Sequence, residues 1–292
     1  MAGSTLIIPA RSTPADSSAL RVETPRVETP RVETFELQSR VFGNTRTIRI
    51  CLPVTYDQPG YENQRYPVLY MNDGFAVFKP SLWNLPQIIT QLASFKKIPE
   101  IILVGIDNGA TASGGSPDQR TNEYLPYPDT TNEPSVATPH GSQYPEFLLG
   151  EVIPAVVQKY RVKPGAENAA LGGSSYGALA ALYTVIHRPG AFGRLVLEST
   201  PTFMANDRII QEARDISDWP DRVYIGIGTN ETSDTVLNTS AIPRARQLKD
   251  LITARSLHTQ VKLLVGQGDT HSSKSWSRRS PEALEFLFGA LD

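Results

Sequence analysis

The chain holds a single cysteine, Cys51, so no internal disulfide can form. It stands in the alternating run TIRICLPV and reads as a buried strand residue. Histidines number only four, and none stands in a carboxylate cluster with metal-ligand spacing, so neither a metal nor another cofactor is expected. An excess of one charge is also missing. Lys and Arg total 28 against 30 Asp and Glu, a net charge of −2, which offers no general attraction to nucleic acid or to an anionic membrane. No apolar run approaches the ~20 residues of a membrane span. The start MAGSTLIIPARST lacks the basic opening and apolar stretch of a signal peptide. These absences point to a soluble protein, expected in the cytoplasm, whose partners are neither nucleic acid nor membrane.

What is present is an ordinary globular balance, 40% hydrophobic and 20% charged residues over 292 positions, ample for one α/β domain with a sizeable core. The first 34 residues differ in kind. RVETPRVETPRVET, Arg21 to Thr34, states a five-residue unit three times behind a leader rich in Ser, Thr, Ala and Pro. Pro25 and Pro30 interrupt any helix, and the unit offers no continuous apolar face. Residues 1–34 are therefore expected to be a low-complexity arm and 35–292 a single catalytic-sized domain.

From Phe35 the pattern is regular. FELQSRVF and TRTIRICLP alternate apolar and polar around a GN pair, the mark of an antiparallel hairpin. Short, fully apolar runs follow at 66–71, 100–106, 168–173, 194–199, 222–228 and 260–266, as in strands buried on both faces. Helical stretches lie between or after them at roughly 81–95, 144–160, 176–187, 242–255 and 280–291. The alternation predicts an α/β fold: a mostly parallel central sheet with an N-terminal antiparallel hairpin and helices on both faces.

One junction carries chemistry. LGGSSYGALAAL puts two serines where a buried strand turns into an Ala- and Leu-rich helix. A nucleophile held on such a turn needs a small residue two positions away on each side, because a Cβ there would clash as strand and helix pack. Ser175 has Gly173 and Gly177. Ser174 has Gly172 but also Tyr176, so the nucleophile is expected at Ser175.

A nucleophilic serine needs a base and an orienting carboxylate, in the chain order Ser, acid, His for an α/β-hydrolase layout. His140 lies upstream of the serine, His187 ends the helix after it, and His258 begins the last strand at the wrong edge of the sheet. His271, just past the C-terminal end of that strand in GQGDTHSSKSW, remains as the base. The preceding strand runs into TNETSD, which offers Glu231, nearer the strand end, with Asp234 as the alternative acid. Asp269 is placed to shape the loop. Oxyanion donors are expected from the backbone N–H of Tyr176 and, across the turn in YMNDGFAVF, of Phe75, with Asp73 bracing that turn.

At this point the chain resembles a known family. YPVLYMNDGFAVF, EFLLGEVIPAVVQKYRV, GGSSYGALAAL, GIGTNE and GDTHSSKSW followed by SPEALEFLF are similar to the esterase D or "Putative esterase" branch of the α/β-hydrolases. That branch includes enterochelin-type siderophore esterases and feruloyl esterases. The resemblance covers most of 35–292. It implies an α/β-hydrolase fold and a serine carboxylic-ester hydrolase working through Ser175, His271 and Glu231, with Phe75 and Tyr176 as oxyanion donors. The family often has Asp where Glu231 stands, and commonly a tryptophan shortly after the histidine, here Trp276, with substrate contact or structural packing as its two roles. The substrate implied is a small-molecule ester with a small or aromatic acyl group.

Two variable segments bear on that substrate. In 107–143, RTNEYLPYP resembles a stretch of the siderophore-esterase relatives. Arg120 and Tyr124 are its substrate-binding candidates, against the alternative that Arg120 and Glu123 pair to hold the loop. Thr200 to Pro220, with Phe203, Met204 and Trp219, is the natural cap over an acyl pocket. An acyltransferase would share every catalytic residue, a peptidase fits the resemblance less well, and a hydrolase-shaped binding protein without turnover is the alternative outside enzymes.

Overall fold

The computed structural model describes Met1, Gly3 and residues 29–111, 115–130 and 136–290. Most of the predicted arm, including all of the first two repeat copies except Thr29 and Pro30, lies outside these residues.

Eight strands form one sheet: β1 (Arg31–Gln38), β2 (Thr45–Leu52), β3 (Val68–Asn72), β4 (Ile102–Ile106), β5 (Ala169–Ser174), β6 (Arg194–Glu198), β7 (Arg222–Asn230) and β8 (Gln260–Thr270). Their order is β1-β2-β4-β3-β5-β6-β7-β8. β1 and β2 form the predicted antiparallel hairpin, and β2 is antiparallel to β4. From β4 to β8 every pairing is parallel, as the unbroken apolar runs require. The hairpin loop closes through the Ser39 N–H donating to the Asn44 carbonyl at 2.8 Å, and Gly43 takes the positive φ of 65° that the turn needs.

β1 begins at Arg31, so the third RVET copy belongs to the sheet rather than to an arm ending at 34. An edge strand needs a backbone partner, not a continuous apolar face. Arg31 to Thr34 find that partner in Leu52 to Arg49.

The helices are α1 (Gly74–Phe78), α2 (Leu85–Ser94), α3 (Pro117–Tyr124), α4 (Tyr144–Phe147), α5 (Ile153–Lys159), α6 (Tyr176–His187), α7 (Met204–Ala213), α8 (Thr235–Arg255) and α9 (Ser273–Phe288). α4 and α5 are one helical run joined by a wide π turn over Leu148–Val152. Pro154, which has no N–H and would crowd the Gly150 carbonyl, is the second residue after that turn. α8 and α9 each start seven residues before the predicted position, at Thr235 and Ser273 rather than 242 and 280.

Alternate residues of the inner strands enter two cores. Tyr70 and Val104 join Phe147 of α4 and Leu179 of α6 on one face. Leu69, Met71 and Leu103 join Trp83 and Leu284 of α9 on the other. Cys51 is buried in the second core, where burial pushes its thiol up to about 12. No helix among the described residues is long and apolar enough to cross a membrane.

Candidate active site

Ser175 sits between β5 and α6 with φ 55° and ψ −131°, backbone that a residue with a Cβ rarely adopts. Its N–H donates to the Glu198 carbonyl of β6 at 2.8 Å, which holds the turn against the sheet. The two glycines make the turn possible. A Cβ on Gly173 would lie 2.6 Å from the Gly177 carbonyl carbon, and one on Gly177 would lie 2.9 Å from Asp73 Oδ2. Ser174, 3% exposed, is a buried strand residue. Ser175 lines an open pocket of about 310 Å³.

Two adjacent parallel strands deliver the other groups. His271 follows the end of β8, and Glu231 follows the end of β7, whose last residue Asn230 pairs with Thr270 across an irregularity in the register. His271 Nδ1 stands 2.7 Å from Glu231 Oε2. The carboxylate only accepts, so Nδ1 carries the proton and Nε2 is left free to take one. Glu231 Oε1 accepts from the Gly228 N–H at 2.5 Å and from the Ser199 hydroxyl at 2.8 Å. Burial would raise the Glu231 carboxyl, but the bonds from His271, Gly228 and Ser199 outweigh it and hold it below the ordinary range. Glu231 therefore stays ionised down through the usual Glu value of about 4.3. His271 and Glu231 line the same pocket as Ser175.

The two expected oxyanion donors both lie in the first turn of a helix. Tyr176 is the first residue of α6 and Phe75 the second of α1, where backbone N–H groups have no partner within the helix. Asp73, at φ 60°, turns the chain into α1. Its carboxylate accepts from Asn108 Nδ2 at 2.7 Å and from Arg120 Nε and Nη2 at 2.8 and 2.7 Å, the bracing role its position implied.

Residues 39–287 match the family described as "Putative esterase". The chain belongs to this family. It is thereby a serine carboxylic-ester hydrolase of the α/β-hydrolase fold. The esterase is 24% identical over 197 residues to the uncharacterized protein YjcH of Bacillus subtilis, covering 66% of this chain and 71% of that protein. It is 23% identical over 251 residues to an endo-1,4-beta-xylanase/feruloyl esterase of Xylanibacter ruminicola, covering 84% of this chain and 30% of that one. Similar solved structures include the BES protein from Bacillus cereus, with TM-score 0.71 and 19% identity over 92% of this chain and 100% of that one. The enterobactin esterase FES from Shigella flexneri has TM-score 0.68 and 17% identity over 90% and 60%. These structures share the fold.

Several expected roles move. Arg120 does not pair with Glu123, whose carboxylate instead accepts from the buried Arg46 and, at 2.8 Å, from the Gly109 N–H. Arg120 is tied to Asp73, and Tyr124 is fully buried with its hydroxyl accepting from the Asp73 N–H at 3.2 Å. Both therefore support the turn that carries Phe75, and neither lines the pocket. Asp234 is the cap of α8, accepting from the Leu237 N–H at 2.9 Å, and is not on His271. Of the predicted cap residues, Phe203 lines the pocket, whereas Met204 and Trp219 are core.

Trp276 likewise does not line the pocket. Its indole N–H donates to Ser199 Oγ at 2.9 Å, and its ring meets His271 edge-on, centroids 5.3 Å apart at 83°. His271, Glu231, Ser199 and Trp276 thus form a closed ring. Ser199, held at φ 50° beyond the end of β6, was not anticipated. Nothing in LEST distinguishes it, since both its partners come from distant sequence. Trp276→Phe keeps a ring beside His271 and removes the N–H. Losing one such bond, worth about 1 kcal/mol, should lower kcat roughly fivefold, with KM unchanged in steady-state assays. A rise in KM alone would instead make Trp276 a substrate contact.

Proposed function

We propose that the esterase hydrolyses its ester through a covalent acyl-enzyme on Ser175. His271, oriented by Glu231, takes the Ser175 proton as the hydroxyl oxygen attacks the ester carbonyl. The negative charge that develops on the carbonyl oxygen is received by the N–H groups of Phe75 and Tyr176. On collapse the alcohol leaves with the proton from His271. Water, deprotonated by His271, then attacks the acyl carbonyl, and the acid is released as Ser175 regains its proton.

The observation that carries this reading is the 2.7 Å contact between His271 and Glu231 in the pocket that also holds the strained Ser175. Site size supports a small or single-ring acyl group, since about 310 Å³ is near the lower end for ligand pockets. The rings of Tyr176 and Phe203 at its wall suit an aromatic acyl, in keeping with relatives whose names include feruloyl and enterobactin esterase.

Intact mass after treatment with an organophosphonate ester tests the proposal. One adduct is expected on the wild type and none on Ser175→Ala. A folded wild type that takes no adduct would sink it.

A further inference from the structure

The pocket holding Ser175 and His271 contains one charged side chain that the acyl transfer does not use. Arg244, on α8, lines it and is the sole Lys or Arg among its described lining residues. An arginine facing a pocket is either saturated by its own partners or has donors to spare.

Three other guanidinium groups of the esterase each reach carboxylate oxygens from two or more nitrogens. Arg49 sets Nε and Nη2 on the two oxygens of Asp107, both at 2.8 Å. Arg120 does the same with Asp73, and Arg279 spans Glu198 and Asp269. Among the described residues Arg244 has one hydrogen-bond partner, Asp207, reached from Nη1 alone. Its Nε is buried with no acceptor among the described residues. Asp207 is the more exposed member of the pair, 42% against 29%, and ends a run of three left-handed residues, Ala205 to Asp207. Glu231, the only carboxylate among the described lining residues, is already engaged by His271, Gly228 and Ser199.

We propose that Arg244 recognises an anion, and that the preferred substrate is an ester carrying a carboxylate or similar small anion a short chain away from the scissile bond. This rests on the Ser175 mechanism above. Asp207 keeps the guanidinium in place while the pocket is free of substrate, and its one-point contact leaves the remaining N–H donors for two-point recognition of a carboxylate. Apolar wall residues such as Phe203, Ile227 and Leu237 lower the local dielectric, which strengthens that attraction. The small volume requires the charge to sit close to the ester.

The test uses two ester series, one with a carboxylate on the acyl chain and one with it on the alcohol. Each charged ester is matched by a neutral terminal-amide partner, and the readout is the charged-to-neutral ratio of kcat/KM. In one series the wild type should favour the charged ester, and Arg244→Gln should lower the ratio about 10- to 100-fold. That series identifies which half of the ester occupies the pocket. Arg244→Lys should lower the ratio less, and Asp207→Asn, which removes the competing carboxylate, should raise it. A ratio that Arg244→Gln leaves unchanged in both series overturns the proposal. So does a fall on Asp207→Asn matching that on Arg244→Gln, because a merely structural ion pair suffers equally from either side. Failure of the Ser175 mechanism is read separately, as turnover of the neutral esters that survives Ser175→Ala.

Discussion

Alanine at Ser175 should lower kcat for an activated aryl ester by about 10⁴- to 10⁶-fold, alanine at His271 by a similar factor, and the double replacement by no more than either alone. The two groups act as one unit: without the hydroxyl there is no proton for the imidazole to take, and without the imidazole the hydroxyl is a poor nucleophile. Effects that multiply in the double variant would show that they act in separate steps. Glu231→Gln is expected to cost about 10²- to 10⁴-fold for a different reason. Gly228 and Ser199 both donate to Oε1, so the glutamine oxygen takes that side. The amide nitrogen then faces His271 and donates to Nδ1. The imidazole proton is driven to Nε2, the nitrogen that must accept from Ser175. Steady-state kinetics of the four variants decides both points.

The largest stability effect is expected at Arg279, which is not among the residues lining the pocket. Its guanidinium is 3% exposed and binds Glu198 and Asp269, side chains 1% and 7% exposed. Arg279→Leu leaves both carboxylates without it and should destabilise by about 3–5 kcal/mol. Burial already pushes Glu198 up to about 7 against the pull of Arg279. A carboxyl raised in the folded state contributes stability that is lost as pH rises from its unfolded value, about 4.3, through its folded one. At pH 5 Glu198 is protonated with or without Arg279, so the deficit should be smaller there than at pH 8. Urea unfolding at the two pH values measures it, and Glu198→Gln/Arg279→Leu should recover part of the loss at pH 8. A deficit independent of pH would mean that Glu198 does not titrate in this range. Because Asp269 stands two residues before His271, Arg279→Leu should also loosen the base and lower kcat.

The sheet and the turn at Ser175 were legible because their signals are local. Unbroken apolar runs such as EIILVGI need no partner to be read as inner strands, and Gly173 and Gly177 name Ser175 by a clash that any strand-to-helix packing imposes. His271 and Glu231 followed from chain order at the ends of β8 and β7. What was not legible depends on contacts between distant residues. Arg120 and Glu123 are neighbours on α3, yet their partners Asp73 and Arg46 lie at least 47 positions away. The Ser-Pro pair at 280–281 has the form of a helix start, but Pro281 lies inside α9, whose true cap is Ser272 accepting from the Ser275 N–H. Asp234, further into the loop than Glu231, is the second acid that TNETSD offers. Only its bond to the Leu237 N–H separates a cap from a catalytic acid.

The edge strand has a consequence for how the N-terminal repeat can change over generations. Strand side chains alternate with period 2, whereas the unit RVETP has five residues, so a further copy drawn into the sheet would turn its valine to the opposite face. Pro30, which has no N–H to donate, stands immediately before Arg31. Among the described residues, pairing with β2 starts after that proline. Gain or loss of whole units upstream of Pro30 would leave the residues that enter the β1–β2 register, from Arg31 onward, unchanged.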